Sequence, residues 1–167
     1  MSLASTLSAT LSHLSAPRIS FAIESWAKFY PDAKVLFPEH YKELALDQDF
    51  AKLDIDEEKY EAAESQGLLM ILTVRAETRL VGYYVAAITG HLHYKSSGLM
   101  AHTDLYYILP EFRVGATGLK IFLVLERELK ARGVTKAYLS TKVHSDNTKL
   151  FELLGYHLTD KVFTKRF

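Results

Sequence analysis

His102, Asp104 and Tyr106 stand two residues apart, just ahead of Ile108-Leu109-Pro110. If the strand they suggest is regular, all three share one face with Ile108. Histidine titrates nearest neutrality and suits the work of a base. An aspartate needs burial to raise its pKa for that work, or else it orients a water. The same two residues also read as a hydrogen-bonded structural pair, and their types and spacing leave both readings open. A second kind of chemistry follows at once in Arg113-Val114-Gly115-Ala116-Thr117-Gly118, before an apolar helical pattern from Leu119 to Arg132. Pro110 ends the strand because it cannot donate to a ladder, and Gly115 and Gly118 permit close approaches that side chains forbid. The first amides of the helix have no partners within it, so with the dipole they form a ready site for an anion. Thr117 to Lys120 contains no acid to repel one. An ordinary strand–turn–helix corner has the same residues.

His91 and His93 share a face on a strand, and with His102 and Asp104 they could form a histidine/carboxylate metal site. A polar loop gathers histidines without a metal, however, and no metal is expected here. With no cysteine in the chain, disulfides, thiol nucleophiles and thiolate metal sites are excluded. The formal net charge is zero, so there is no general pull toward nucleic acid or an anionic membrane. No apolar run reaches the length of a membrane span, and the first residues lack the basic start and apolar core of a secretory signal. With 49% apolar residues in 167, the chain reads as globular and most simply as one domain.

Several elements must position these residues. Residues 1–16 form an uncharged extension in which Leu3, Leu7, Leu11 and Leu14 recur at helical spacing. It reads as a helix docked on the domain or on a partner subunit, against a frayed tail, and it makes a homodimer one outcome to test. Ser20 to Ala45 reads as mainly helical, as two helices or one kinked at Pro31 and Pro38. Asp56-Glu57-Glu58 opens a short helix ended by Gln66-Gly67. Leu68–Arg75 and Arg79–Thr89 read as a hairpin, with a polar break from Gly90 to Gly98 before a third strand at Met100–Leu109. The long helix carries expected ion pairs Glu126–Lys130 and Glu128–Arg132 and ends at Gly133. A strand at Lys136–Thr141, a short helix at Asn147–Leu154, and closing strands at Tyr156–Thr159 and Lys161–Phe167 complete the pattern. The expected class is α/β of the α+β type: N-terminal helices, then a mixed, largely antiparallel sheet flanked by helices, with one crossover helix.

The run Ile108-Leu109-Pro110-Glu111-Phe112-Arg113-Val114-Gly115-Ala116-Thr117-Gly118, with its helix, resembles the acetyl-CoA-binding motif of the GNAT superfamily of N-acetyltransferases. Asn147 followed by Leu150-Phe151-Glu152-Leu153-Leu154-Gly155-Tyr156 is similar to a later motif of that family. The stretch from His91 to Ser96 also resembles a subgroup carried by tailed phages. The resemblance implies a GNAT-like domain over residues 17–167 that moves acetyl from acetyl-CoA to an amine of a small molecule or protein. It implies acetyl-CoA as co-substrate, no metal, and a cytoplasmic setting (the host's, if phage-encoded). It assigns Ile108 and Leu109 to pantetheine and carbonyl. The amides of Val114, Gly115, Ala116, Thr117, Gly118 and Leu119 would hold pyrophosphate, framed by Arg113, with Asn147 and Phe151 beside them. His102 or Asp104 would be the base, and Tyr106, Tyr107 or His144 would protonate the leaving thiolate. His91, Tyr94 and Lys95 would line the acceptor entrance. The sequence departs from the family at Ala116, where glycine is usual, and at Phe151, where a tyrosine is frequent. Both departures, with the leucine-striped N-terminus, also motivate an alternative, a GNAT-fold binding or virion-associated protein without catalysis.

Overall fold

The computed structural model describes residues 17–167. The leucine-striped extension, and with it the expected N-terminal helix, lies outside the described residues. Five strands form one sheet in the order β1-β2-β3-β4-β5: β1 is Ile19–Glu24, β2 Leu69–Ala76, β3 Arg79–Gly90, β4 Leu99–Ile108 and β5 Val134–Tyr138. The first four pair antiparallel, and β5 joins β4 in parallel. Helices α1 (Trp26–Leu44) and α2 (Glu57–Ser65) precede β2, α3 (Thr117–Ala131) is the crossover from β4 to β5, and α4 (Thr148–Leu153) follows β5. The architecture is therefore α+β: a mixed, largely antiparallel sheet flanked by helices.

Ser20 to Glu24 is a strand, not the start of a helix. Phe21 and Ile23 stand two apart, which is strand period, and the segment pairs along β2 from Ile19↔Ala76 to Glu24↔Ile71. Glu24 is buried beside Arg75, whose Nε and Nη2 donate to its two carboxylate oxygens at 2.9 and 2.8 Å. Burial alone pushes that carboxyl up, but the bonds from Arg75 and Lys28 outweigh it and leave the pKa lowered.

Helix α1 runs through both Pro31 and Pro38 without ending. Each proline removes the bond to the carbonyl four residues earlier. Those carbonyls belong to Ala27 and Lys34, which are exposed like the prolines themselves, so water satisfies them. The opposite stripe, Trp26, Phe29, Ala33, Leu36 and Phe37, is buried and holds the helix on the sheet. Ser25 caps its start and Asp56 caps α2, each accepting from the backbone N–H three residues on.

The two faces of the sheet differ in cover. On β3, Tyr83 points to the α1 side, where it meets Phe29 and Phe37 edge-on at 5.3 and 5.7 Å. Its neighbour Tyr84 points to the α3 side and meets Phe122 at 6.0 Å. Ile121, Phe122, Leu125 and Leu129 of α3 are buried there, and Gly133 at φ 76° closes the helix. Lys130 pairs with Glu126 as expected. Glu128 instead pairs with its neighbour Arg127, at 2.7 Å.

The two closing strands do not form: the chain after Leu153 joins no ladder. Leu158, Val162, Phe163 and Phe167 are exposed, although the sequence alternates as a strand would. The segment is drawn instead to the loop after α1, where Arg166 pairs with Asp47 and Asp49 and lies over the Phe50 ring.

Candidate functional site

Strand β4 carries an irregularity that arranges everything near it. Val85 faces Leu105 and the next residue of β3, Ala86, faces Thr103, so Asp104 is the extra residue of a β-bulge. Above the bulge, Thr103 bonds Tyr84 at 2.6 Å and so belongs to the α3 face, which leaves His102 on the α1/α2 face. Below it, Tyr107 is on the α1 side, stacked on His40 at 4.9 Å, and Tyr106 is on the α3 side, 5.0 Å from Phe122. The expected single face of His102, Asp104, Tyr106 and Ile108 is therefore broken. His102 and Asp104 share the α1/α2 side, while Tyr106 and Ile108 turn to the other.

The bulge also marks where β4 and β5 part. Their last paired residues are His102 and Tyr138. Thr103 Oγ1 makes the final tie, donating to the Tyr138 carbonyl and accepting from the Ser140 amide, both at 3.3 Å. Beyond it β4 continues alone on that side to Ile108. Leu109 donates its N–H to Val81 at 2.8 Å. Facing residues of an antiparallel pair alternate between bonded and non-bonded, so the backbone groups of Tyr106 and Ile108 point into the gap that β5 has left. The Ile108 carbonyl there is taken by Arg113 Nε at 2.7 Å, while its N–H has no partner among the described residues. Leu109's N–H, spent on β3, is not available. Gly82 makes this tight end of the sheet feasible: a Cβ on it would meet Ile108 and the Tyr107 carbonyl at 2.9 Å.

The turn comes next. Gly115 takes φ 58°, the left-handed conformation that glycine adopts freely. Ala116 has φ −97°, open to any residue, so the missing glycine there costs nothing. The amides of Val114, Gly115, Ala116, Gly118 and Leu119 have no hydrogen-bond partner among the described residues. Thr117 makes only a 3.4 Å contact to Val114. Free amides converging on a helix start with no acid in its first turn suit a phosphate group.

Arg113 joins this turn to α1. Its Nη1 and Nη2 donate to the two oxygens of Glu43 at 2.6 and 2.8 Å, and its guanidinium lies 5.3 Å from the Tyr107 ring. Those bonds, ahead of the opposing effect of burial, hold the Glu43 carboxyl below its usual range. Beside them His40 Nδ1 bonds the Tyr83 hydroxyl at 2.7 Å, and burial pushes the His40 pKa down to about 4. His40 and Glu43 carry no motif, and their partners are distant in sequence, so sequence reasoning missed them.

The other candidates are dispersed. His102 is exposed and stacks on Tyr138 at 4.6 Å with 3° between the planes. Asp104 is exposed, and its Oδ2 accepts from the Tyr60 hydroxyl at 2.6 Å. Burial pushes the Tyr106 hydroxyl up to about 12. His144 is exposed, with Nε2 3.3 Å from the Glu43 carbonyl. Asn147 caps α4 without a side-chain bond to it; its amide donates to Thr141 Oγ1 at 2.7 Å. Phe151 is buried edge-on to Phe122 at 5.2 Å, a core contact. His91 Nδ1 accepts from the amides of His93 and Tyr94 at 3.1 and 3.2 Å, which folds the loop on itself. That loop, with Lys95, lies at the far end of β4, on the order of 30 Å of strand from the turn. Among the described residues no cluster of three metal-ligating side chains is found, and no helix is long and apolar enough to cross a membrane.

No protein-family model and no curated protein matches the chain. Solved structures do. A ribosomal-protein-alanine N-acetyltransferase from Brucella melitensis superposes with a TM-score of 0.67 at 17% identity, over 90% of this chain and 99% of that one. An aminoglycoside acetyltransferase from an uncultured soil sample gives 0.69 at 12% identity, over 90% and 99%. A predicted acetyltransferase from Clostridium acetobutylicum, solved with acetyl-CoA, gives 0.65 at 12% identity, over 89% and 96%.

Proposed function

We propose that this chain, which has the fold of the GNAT acetyltransferases, is an acetyl-CoA-dependent N-acetyltransferase. The observation that carries the reading is the set of amides of Val114, Gly115, Ala116, Gly118 and Leu119, unpartnered among the described residues, beside the gap where β4 and β5 part. The amides of Val114, Gly115, Ala116, Gly118 and Leu119 would hold the pyrophosphate, and the backbone of Tyr106 and Ile108 the pantetheine. When bound, acetyl-CoA supplies an acetyl thioester. The free Ile108 N–H is the donor best placed for a negative charge developing on a carbonyl oxygen.

An amine acceptor is protonated at neutral pH and must lose a proton before it attacks. His102 is an exposed imidazole on the open α1/α2 side, and we assign it that proton. Tyr106, kept protonated by its burial on the strand that borders the gap, is our candidate donor for a leaving thiolate. His144, 3.3 Å from the Glu43 carbonyl near the end of α1, is the second candidate. We place the acceptor among amine-bearing small molecules or proteins and the reaction in the cytoplasm. A homodimer through residues 1–16 belongs to the same proposal; removing them should then halve the mass in solution.

Calorimetry with CoA and acetyl-CoA tests the cofactor site, and thiol release over a panel of primary amines and peptides tests the transfer. We expect a dissociation constant between micromolar and millimolar and amine-dependent thiol release. No heat at millimolar cofactor overturns the reading. A second reading has its own observation: Phe151 is buried against Phe122 and offers no hydroxyl, as a binding protein without catalysis would allow. Cofactor binding without thiol release for any amine would favour it.

A further inference from the structure

Asp104 and Tyr60 make an arrangement that the transfer chemistry above does not use. Asp104 is the bulged residue of β4, so its carboxylate stands out of the ladder just where β4 and β5 separate. Its Oδ2 accepts from Tyr60 at 2.6 Å, and its Oδ1 has no partner among the described residues. Tyr60 is itself fixed. Its ring lies flat on Trp26 at 4.3 Å with 5° between planes, and Tyr30 covers the other face of Trp26 at 4.8 Å. Tyr30 in turn donates to Glu57 at 2.7 Å. Three stacked rings therefore set the angle at which one hydroxyl meets one carboxylate oxygen.

An anion with one oxygen held and the other open is suited to a cation. The surrounding charge agrees. From Asp47 to Glu64 there are eight acidic residues against two lysines, of which Asp47 and Asp49 are paired with Arg166 and Asp56 with Lys59. Beside Tyr60 on α2 the one cation, Lys59, pairs with Asp56 and so does not neutralise Asp104. On β4, His102 and Tyr106 are the titratable neighbours two residues away, and Tyr106 turns to the α3 side.

We infer that Asp104 Oδ1 is the binding site for the protonated amine of the acceptor, and that Tyr60 is the positioning residue that aims it. This rests on the acetyltransferase reading. The acceptor would arrive as an ammonium ion, drawn by the acidic α1–α2 side. It hydrogen-bonds Oδ1 and gives one proton to another base: one N–H bond breaks, and the nitrogen keeps the electron pair with which it attacks. Acceptors without a cationic amine would bind poorly.

The site is tested with n-butylammonium, with n-butanol as the uncharged control, by following the carboxyl carbon of Asp104 in NMR titrations. We expect butylammonium to shift that signal and butanol to leave it. In Tyr60→Phe the affinity should fall 3- to 10-fold. In steady-state assays Tyr60→Phe and Asp104→Asn should raise the acceptor KM by about 3- to 10-fold and 10- to 100-fold, with kcat and cofactor KM little changed. Tyr60→Phe should add no further loss to Asp104→Asn. Butylammonium and butanol acting alike, or an acceptor KM unmoved by Asp104→Asn, overturns the inference. A fall in kcat rather than a rise in KM also overturns it, since Asp104 would then be the base. If Tyr60→Phe unfolds, Asp104→Asn and the wild-type titration decide alone. Butylammonium binding without thiol release for any amine leaves the ammonium site standing and removes the acetyltransferase reading.

Discussion

The two ends of the cleft are made of different material. At the turn after β4 the groups proposed to work are main chain: the amides of Val114, Gly115, Ala116, Gly118 and Leu119, unpaired among the described residues, a left-handed Gly115, and the Ile108 N–H turned away from β3. On the α1/α2 side they are side chains, and each owes its place to a residue far away in sequence. Asp104 is held by Tyr60, Glu43 by Arg113, and His40 by Tyr83. Main-chain groups are set by backbone geometry and tolerate most side-chain exchanges. Side-chain sites fail with one atom. Arg113 bridges the two, with Nε on the Ile108 carbonyl and its outer nitrogens on Glu43.

The contrast can be broken by substitution. The largest effect belongs to the side-chain end. His102→Gln should lower kcat 10²- to 10⁴-fold, the range for losing a general base, and leave CoA affinity within about twofold by calorimetry. Next comes stability at low pH. His40 is held at about 4 in the fold against 6.5 as a free side chain, so it resists protonation there. The unfolded chain binds the extra proton as pH falls below 6.5. Stability from this group is thus complete above 6.5 and drains away as the pH falls toward 4. The loss is at most on the order of 3 kcal/mol. Urea midpoints should show His40→Gln losing less between pH 7.5 and pH 4.5 than wild type does. If the two lose equally, His40 is not the group responsible.

Smaller effects belong to the main-chain end. Gly115→Val forces a β-branched residue to φ 58°, a cost of about 1–3 kcal/mol, and should weaken CoA binding by about 10-fold. Arg113→Lys keeps the charge but loses the two-pronged bond to Glu43, and a rise of about 3- to 5-fold in the cofactor KM is expected. Ala116→Gly should change nothing beyond about twofold, because Ala116 already sits in ordinary backbone space. A large gain in affinity from it would mean that the turn wants glycine there after all.

The same contrast explains what the sequence could reveal. The turn was legible because its determinants are local: a proline to stop the strand, a glycine where φ is positive, and a helix start free of acid. The α3 stripe and the hairpin of β2 and β3 were legible for the same reason. Tyr60, His40 and Glu43 were not, since each acts on a residue brought near only by folding. The α1 prolines look like helix breakers, but Ala27 and Lys34 face water and absorb the loss. The alternating C-terminal residues look like strands, yet β5 lies at the sheet edge with that segment drawn to Asp47 and Asp49. Asp104 was read in the right strand but with the wrong neighbours, since one extra residue there cannot be seen in residue types.

That extra residue works as a phase shifter in a pattern of two beats. Delete Asp104, and Thr103 and Leu105 become neighbours opposite Ala86 and Val85, so the ladder runs on unbroken and both halves of β4 keep their faces. The bulge lets one strand carry two incompatible alternations and change between them in a single step, at the point where β5 leaves. A deletion at that one codon should therefore remove the bulge and its carboxylate while leaving every other side chain of β4 at its present address.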